Sequence, residues 1–495
     1  MTFAQRFGRG LLWNQLSRVV ELGAAYAASV IAARALGAQA FGVYSVALSA
    51  VTLSYFATSL GMNEVLNVHV PRLREQPGRI AHLLRSLLGR RAAVAALLAA
   101  GFALGAPLLA AAYREPALVS LLRAAAIYVF FYNVSLLLEY FHMGTLEVPR
   151  VSAARIVVQL LGLSAACATL AFHWPAERLL GAMAIAAAVG VVLLLWGARR
   201  TLRAPGEPFD LKPMRTFGLT IWVTNFVTFF LGRQSDVLLV GFFWPGTAEA
   251  GCYAAASLLV NLLASALLMG AEGVSLAAFS ELEQRVDRGG LGRLWSLHLK
   301  VDQLLSVPLL LFGARFAGDI VTLLYSSSFA HAAFLLQAYT ATWVIARATG
   351  GGTNMTVLYA IGRPRLPLIL YGVSGLANLG LNLVLVPRYG AIGAVMGTGF
   401  ALVGSSIASS ILVTRHTGAA PPFGFSLRLL AACGAALLAV QWLPRPHGLA
   451  GLAVAGAVGL VVCLGALHLL RPFDDDDRRL LTRLSPRVGA LAAKL

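Results

Sequence analysis

The 495-residue chain is 58% hydrophobic, only 12% charged, and has a mean hydropathy of +0.76. That composition excludes an ordinary soluble domain. A net charge of +18, from 39 Lys and Arg against 21 Asp and Glu, would suit nucleic acid in a soluble protein, but its distribution along this chain ties it to a membrane surface.

Apolar stretches of roughly 20 residues recur from end to end, each long enough to cross a hydrocarbon core about 30 Å thick. About fourteen are expected, near 11–33, 40–62, 92–111, 117–141, 151–172, 179–197, 215–241, 250–278, 301–325, 331–358, 366–387, 391–414, 425–443 and 448–470. In lipid the backbone must satisfy its own hydrogen bonds, so these stretches read as helices; the alternation of a barrel strand is absent. The first is not expected to be a cleaved signal peptide, being long, carrying Arg18 and Glu21, and lacking a small-residue cleavage site.

With the N-terminus placed inside, cytoplasmic segments hold 29 of the 39 Lys and Arg. The opposite side holds eight, and Arg18 and Arg347 fall within spans. This alternation predicts cytoplasmic termini and an inner face attracted to anionic membrane lipids, with no role for nucleic acid.

The chain also repeats itself. Trp13, Gly23, Gly37, Gly42, Tyr44, Leu53, Ala57, Gly61 and Val65 return at a constant offset of 209 as Trp222, Gly232, Gly246, Gly251, Tyr253, Leu262, Ala266, Gly270 and Val274. Six spans precede the polar linker 199–215, so the second copy starts on the same side as the first. The expected architecture is an all-α polytopic membrane protein with two parallel lobes about a pseudo-two-fold axis along the membrane normal. The N-lobe is 1–205 (helices 1–6), the C-lobe 206–416 (helices 7–12), and 417–495 holds helices 13–14 and a tail. In that tail, Asp474 to Asp477 precede Arg478, Arg479 and Leu480, which suggests a capped amphipathic helix on the inner leaflet.

No nucleotide-binding loop, H-E-x-x-H or C-x-x-C motif is present. The four cysteines fall in or beside apolar spans without metal-ligand spacing, and read as small buried hydrophobes. Asn133 and Asn354 begin glycosylation patterns but lie inside expected spans. The informative residues are the intramembrane charges, which cost on the order of 3 kcal/mol each and therefore face a cavity or a partner. Arg18 and Glu21, and Arg233 and Asp236, each stand three residues apart on one helix face. Either they neutralise themselves, or they line the cavity between lobes. Arg347 precedes Gly350, Gly351 and Gly352, a run that weakens its helix. It is either open to an anionic ligand or paired with Glu272 or Asp302. Glu272 lies deep enough to be a coupling carboxylate, whereas Glu64, Glu139 and Asp302 read as interfacial. Guanidinium stays charged when desolvated and matches phosphate oxygens two at a time, so Arg18, Arg233 and Arg347 suit a pyrophosphate.

Residues 33–44 (Ala-Arg-Ala-Leu-Gly, then Phe41-Gly42-Val43-Tyr44), the passage from Asp236 to Tyr253, and Asn378, Asn382, Val386-Pro387-Arg388-Tyr389-Gly390 and Gly393 carry a resemblance. Over roughly residues 1–415 the chain resembles the oligosaccharide-flippase branch of the multidrug/oligosaccharidyl-lipid/polysaccharide exporter superfamily. The resemblance implies a non-enzymatic flippase working by alternating access in the bacterial cytoplasmic membrane. Its substrate would be a polyprenyl-pyrophosphate-linked oligosaccharide for surface polysaccharide, delivered among other polysaccharide-assembly proteins. Arg18, Arg233 and Arg347 are the headgroup candidates. Glu21, Asp236 and Glu272 are candidates for charge pairing or for coupling to H+ or Na+, with no organic cofactor or metal. The alternatives are a cation-coupled multidrug efflux antiporter of the same superfamily and a membrane-embedded glycosyltransferase or polymerase. Paired carboxylates disfavour the first, and the lack of a sizeable outward loop disfavours the second.

Overall fold

The protein is seen as a computed structural model describing residues 3–229, 232–265, 271–443, 448–474 and 476–479; side chains are described from Val19 onward, except at 224, 225, 227, 228, 265, 271–274 and 277. The described residues form eighteen α-helices and one short 3-10 turn, with no strand. Eleven helical runs among them are long and apolar enough to cross a membrane. The chain is a multi-pass all-α membrane protein.

The difference from fourteen has local causes. Spans one and two both fall in α1 (Phe3–Ser59), which leaves the helical region only at Gly37 (φ 74°, ψ 168°). Span seven appears as α7 (Lys212–Thr228) and α8 (Arg233–Phe243), with Gly232 extended between them, and of span eight the described parts are α9 (Glu249–Ser265) and α10 (Ala271–Gln284). Each described piece is shorter than a bilayer crossing. Span nine divides into α11 (Arg288–Arg315) and α12 (Ala317–Leu324). Span ten divides into α13 (Ala330–Ala348) and α14 (Gly351–Ala360), where Gly350 adopts φ 108°. The glycine run expected to break this helix does so, because only a residue without Cβ enters that region at little cost. A short helix outside the expected spans, α2 (Met62–Arg72), follows Gly61, whose added Cβ would stand 1.9 Å from the Gly218 carbonyl oxygen. The remaining spans appear as α3 (Pro77–Ala112), α4 (Leu118–Gly144), α5 (Val148–Phe172), α6 (Ala176–Arg203), α15 (Arg365–Tyr389), α16 (Ala391–Thr417), α17 (Phe423–Gln441) and α18 (Gly448–Leu470).

The helices are apolar nearly all round, as expected of segments solvated by lipid. On α3 the inward face is small at Ala95, Ala106 and Ala110, while Leu97, Leu104 and Leu108 are exposed. Small residues let neighbouring backbones approach, which is where packing between membrane helices is gained.

The chain divides into two compact units, Met1–Ala255 with Asn382–Ala394, and Ala256–Leu381 with Val395–Leu495. The first is centred on Leu66, Leu83, Leu84, Leu137 and Phe141, with a second cluster around Leu138, Ala154 and Leu194. The second has one cluster around Phe279, Trp295, Leu299, Leu358 and Val413, and another joining α11, α17 and α18 through Val307, Leu429, Cys433 and Cys463.

Within the first unit the repeat acquires a physical meaning. Gly37 and its counterpart Gly246 both have positive φ, 74° and 68°. Gly42 and its counterpart Gly251 meet: a Cβ on Gly42 would lie 2.9 Å from the Gly251 nitrogen, and one on Gly251 2.0 Å from the Ala38 carbonyl oxygen. Two equivalent positions touching each other is the arrangement expected next to a two-fold axis.

Candidate functional site

Asp236 lies one turn into α8, just past the break at Gly232 (φ −94°, ψ 155°), and is fully buried. Its carboxylate accepts hydrogen bonds from the Tyr253 hydroxyl on α9, from Asn382 Nδ2 on α15 at 2.6 Å, and from Ser235 Oγ at 3.4 Å. Buried charge is tolerated only with such donors. Arg233, half-buried, directs Nη1 to the Ala254 carbonyl at 3.4 Å. Beside this cluster, Trp244 Nε1 donates to the Val386 carbonyl at 2.8 Å, and Glu249 accepts from the Ala391 nitrogen at 2.7 Å. Gly390 packs against both, since its added Cβ would stand 2.7 Å from the Glu249 carboxylate and 3.4 Å from the Trp244 ring. The two sequence passages resembling the flippase branch thus secure each other.

Glu21 is reached by an arginine that the spacing did not indicate. Arg155 on α5 lies 2.9 Å from Glu139 on α4 and 3.7 Å from Glu21 on α1. The side chain of Arg18 is outside the described residues, so the Arg18–Glu21 pairing expected from sequence is not addressed. Glu139, read as interfacial, is buried against Arg155, with 12% of its side chain exposed.

Arg91, in the basic segment before the apolar run 92–111, is completely buried on α3. Nε and Nη2 donate to the backbone and side-chain oxygens of Asn133, both at 3.0 Å, and the guanidinium lies 5.7 Å from the Tyr55 ring centre. Asn133 in turn donates to Ser54 Oγ at 2.9 Å and accepts from Thr58 Oγ1 at 2.5 Å. The first of the two glycosylation patterns is therefore part of an interior network.

In the second unit, Arg347 lies against Asp302, one of the two carboxylates that its sequence context offered. Nη1 donates to both Asp302 carboxylate oxygens at 2.8 Å, Nη2 donates to the Ala264 carbonyl at 2.9 Å, and the Trp343 ring centre lies 5.3 Å away. Asp302, expected near an interface, is 3% exposed. Glu272, the other proposed partner, has its side chain outside the described residues. One turn further on, the helix break at Gly350 is satisfied internally. Ser406 Oγ donates to the Ala346 carbonyl and accepts from the Gly351 nitrogen, both at 2.9 Å, and Asn354 Nδ2 donates to the Thr349 carbonyl at 2.9 Å. Irregular backbone is tolerated at membrane depth when protein groups take up its freed donors and acceptors.

The acidic run at 474–477 does cap, as its sequence suggests. Asp474 Oδ1 accepts from the Asp477 nitrogen at 2.8 Å, and Asp477 Oδ2 accepts from the Asp474 nitrogen at 3.1 Å. It also holds Lys300, a buried residue on α11 that contacts Asp477 and lies 3.1 Å from Asp474. Burial alone would raise the Asp474 carboxyl, but the Asp477 backbone N–H and Lys300 hold it below the ordinary carboxylate range. The continuation of the expected amphipathic helix beyond 479 lies outside the described residues. No group of three or more His, Cys, Asp or Glu positioned for a metal occurs among the described residues.

Three comparisons bear on this arrangement. No curated protein sequence matches the chain. Among solved structures, a lipid II flippase MurJ in an inward closed conformation superposes with a TM-score of 0.71 at 12% identity, covering 93% of this chain and 98% of that one. A multidrug resistance MATE transporter of the MOP superfamily in an inward-facing conformation gives 0.65 at 12% identity, covering 80% and 94%. An outward-facing MATE transporter gives 0.54 at 11% identity, covering 83% and 93%. At these identities the shared property is the fold, which is that of the MOP superfamily and has been seen in both inward- and outward-facing forms. The sequence model of the family described as polysaccharide biosynthesis protein matches residues 12–333, about two thirds of the chain. The chain belongs to that polysaccharide biosynthesis protein family, on a MOP-superfamily fold.

Proposed function

We propose that this protein is a flippase that carries a polyprenyl-pyrophosphate-linked oligosaccharide from the cytoplasmic to the outer leaflet of a bacterial cytoplasmic membrane. The observation that carries this reading is the family match over residues 12–333 on a fold shared with a lipid II flippase. The proposed lobes are 1–205 and 206–416, with 417–495 appended and both termini cytoplasmic. Transport proceeds by alternating access without an enzymatic step, and other polysaccharide-assembly proteins supply and remove the substrate.

Arg18, Arg233 and Arg347 are the proposed headgroup ligands. The bidentate hold of Arg347 on Asp302 gives this assignment a concrete form: a phosphate offers the guanidinium the same two-oxygen geometry. The headgroup then competes with Asp302, and Asp302 re-forms the pair after release, so no arginine is left buried without a counter-ion. Glu21, Asp236 and Glu272 are the carboxylates proposed to couple the cycle to H+ or Na+. Asp236 is sheltered among Tyr253 and Asn382, where binding or release of one proton or sodium ion, exchanged with the side to which the cavity is open, changes the local charge.

Charge reversal tests the headgroup assignment. Arg18→Glu and Arg233→Glu are expected to abolish surface-polysaccharide export at normal membrane abundance. Full export by both variants would overturn it. Intact export in cells lacking the protein, together with new sensitivity to cationic compounds, would move the reading to drug efflux.

A further inference from the structure

The first unit contains a cavity of about 350 Å3 framed by α2, α3 and α7. Its wall is apolar, with Met62, Leu87, Val94 and Leu219 among the lining side chains, and it bears two charges, Arg90 and Arg215. Both arginines stand at the start of an apolar run, Arg90 just before 92–111 and Arg215 at the head of 215–241. That is the level at which a lipid headgroup gives way to its chains.

Neither guanidinium has an ion pair or a side-chain hydrogen bond among the described residues. Arg79, on the same helix as Arg90, pairs with Glu207 at 3.2 Å. Arg215 is exposed and Arg90 half-buried, so both guanidiniums are open at the rim of an apolar cleft, and an anion placed between two like charges relieves their repulsion. The cleft opens outward beside exposed Leu219, and its size lies within the range of sites that enclose a ligand segment.

We propose that this cavity binds one anionic glycerophospholipid, its phosphate between Arg90 and Arg215 and an acyl chain along the α2–α3–α7 wall. Basic pockets between membrane helices take lipid headgroups in this manner. The site is separate from the intramembrane charges assigned to transport, and it stands whether or not the flippase reading does. In the proposed orientation the lipid comes from the cytoplasmic leaflet. It fills a gap between helices that side chains leave open, so the bound lipid is a structural part of the first unit.

The test uses the full chain, purified in detergent and observed intact by native mass spectrometry. The probes are phosphatidylglycerol and phosphatidylcholine with identical acyl chains. The expected result is one phosphatidylglycerol retained at least tenfold over phosphatidylcholine. The double variant Arg90→Gln/Arg215→Gln loses that molecule, and so does Val94→Trp, which fills the cleft but keeps both charges. Arg85→Gln, an exposed arginine that does not line the cavity, keeps it. Equal retention of the two lipids, or undiminished retention by both cleft variants, overturns the proposal. Displacement by millimolar inorganic phosphate would reduce the site to an anion site, and displacement by an equimolar polyprenyl phosphate would make it a substrate site. Either outcome refutes a phospholipid occupant.

Discussion

Asp302→Asn isolates the energetics of the second unit's central charge pair. The substitution preserves shape but removes the charge that faces Arg347, turns one of its two oxygen acceptors into an NH2 donor, and leaves the guanidinium with only neutral acceptors, the remaining amide oxygen and the Ala264 carbonyl. Arg347 Nη1 sits 2.8 Å from both carboxylate oxygens, and the two side chains are 12% and 4% exposed. Breaking a buried pair by removing one partner costs about 3–5 kcal/mol. The residual exposure of Arg347 places the expected loss near the lower figure, about 3 kcal/mol. For a unit of more than 200 residues this corresponds to a fall in Tm of roughly 6–12 °C. Cys167 is exposed, against the sequence reading of all four cysteines as buried, and is first replaced by Ser; a thiol-reactive fluorophore then reports the transition, because Cys252, Cys433 and Cys463 are buried and unbridged in the folded protein. Scan rate must be held constant, since membrane proteins commonly unfold irreversibly. The paired replacement Asp302→Leu/Arg347→Met, which leaves no buried charge, is expected to return Tm to within a few degrees of the parent. A single Asp302→Asn variant that melts with the parent, or a double variant lower than either single one, would refute the reasoning.

Three further outcomes follow from the geometry. Gly251→Val drives a side chain into the Ala38 carbonyl, 2.0 Å from the Cβ position. A loss of about 3 kcal/mol is expected from such overpacking, read as a collapse of folded yield on size-exclusion chromatography, whereas Gly23→Ala, with nothing within 4 Å, should behave as the parent. Lys300→Met leaves Asp474 and Asp477 without their cation, and trypsin cleavage at Arg478 and Arg479 is expected to accelerate several-fold; unchanged cleavage would show that the pair does not secure the tail. Glu147, between α4 and α5, would be raised by burial, but the hydrogen bond and charge of His142 and the charge of Arg150 hold it below the ordinary carboxylate range. A depressed acid contributes stability that is complete above its unfolded pKa, about 4.3, and is lost as pH falls through the lower folded value. Tm should therefore drop in that acid window, and Glu147→Gln should flatten the drop; identical acid profiles for parent and variant would contradict it.

Much of the fold could be read from the residues because bilayer thickness and glycine geometry act locally. Apolar runs marked the helices, and Gly350 marked a break that its missing Cβ allows. The 209-residue repeat pointed to Gly37 and Gly246, which share positive φ, and to Gly42 and Gly251, which touch. The departures concern contacts between distant positions. Arg155 stands 16 residues from Glu139 and far from Glu21, so helix spacing carried no sign of the trio. Arg91 follows Arg90 at the edge of an apolar run, where the distribution of basic residues points to a surface, and its partner Asn133 lies 42 residues away, so the sequence carried no sign of the pair. Lys300 and Asp477 are separated by most of the second unit. For Arg347 the sequence offered two carboxylates as partners, and Asp302, 45 residues away, meets it through packing that helix spacing does not encode. The extended Gly232 and the break at Phe316 had no run of glycines to announce them.

The central claim is tested most directly by following the leaflet of the substrate. Purified protein is reconstituted into liposomes carrying a fluorescent polyprenyl-pyrophosphate-linked oligosaccharide on one leaflet, and an impermeant glycosidase reports the fraction that crosses. The account predicts protein-dependent crossing that Arg233→Glu abolishes. Crossing no faster than in protein-free liposomes, under imposed proton, sodium and voltage gradients alike, would contradict it.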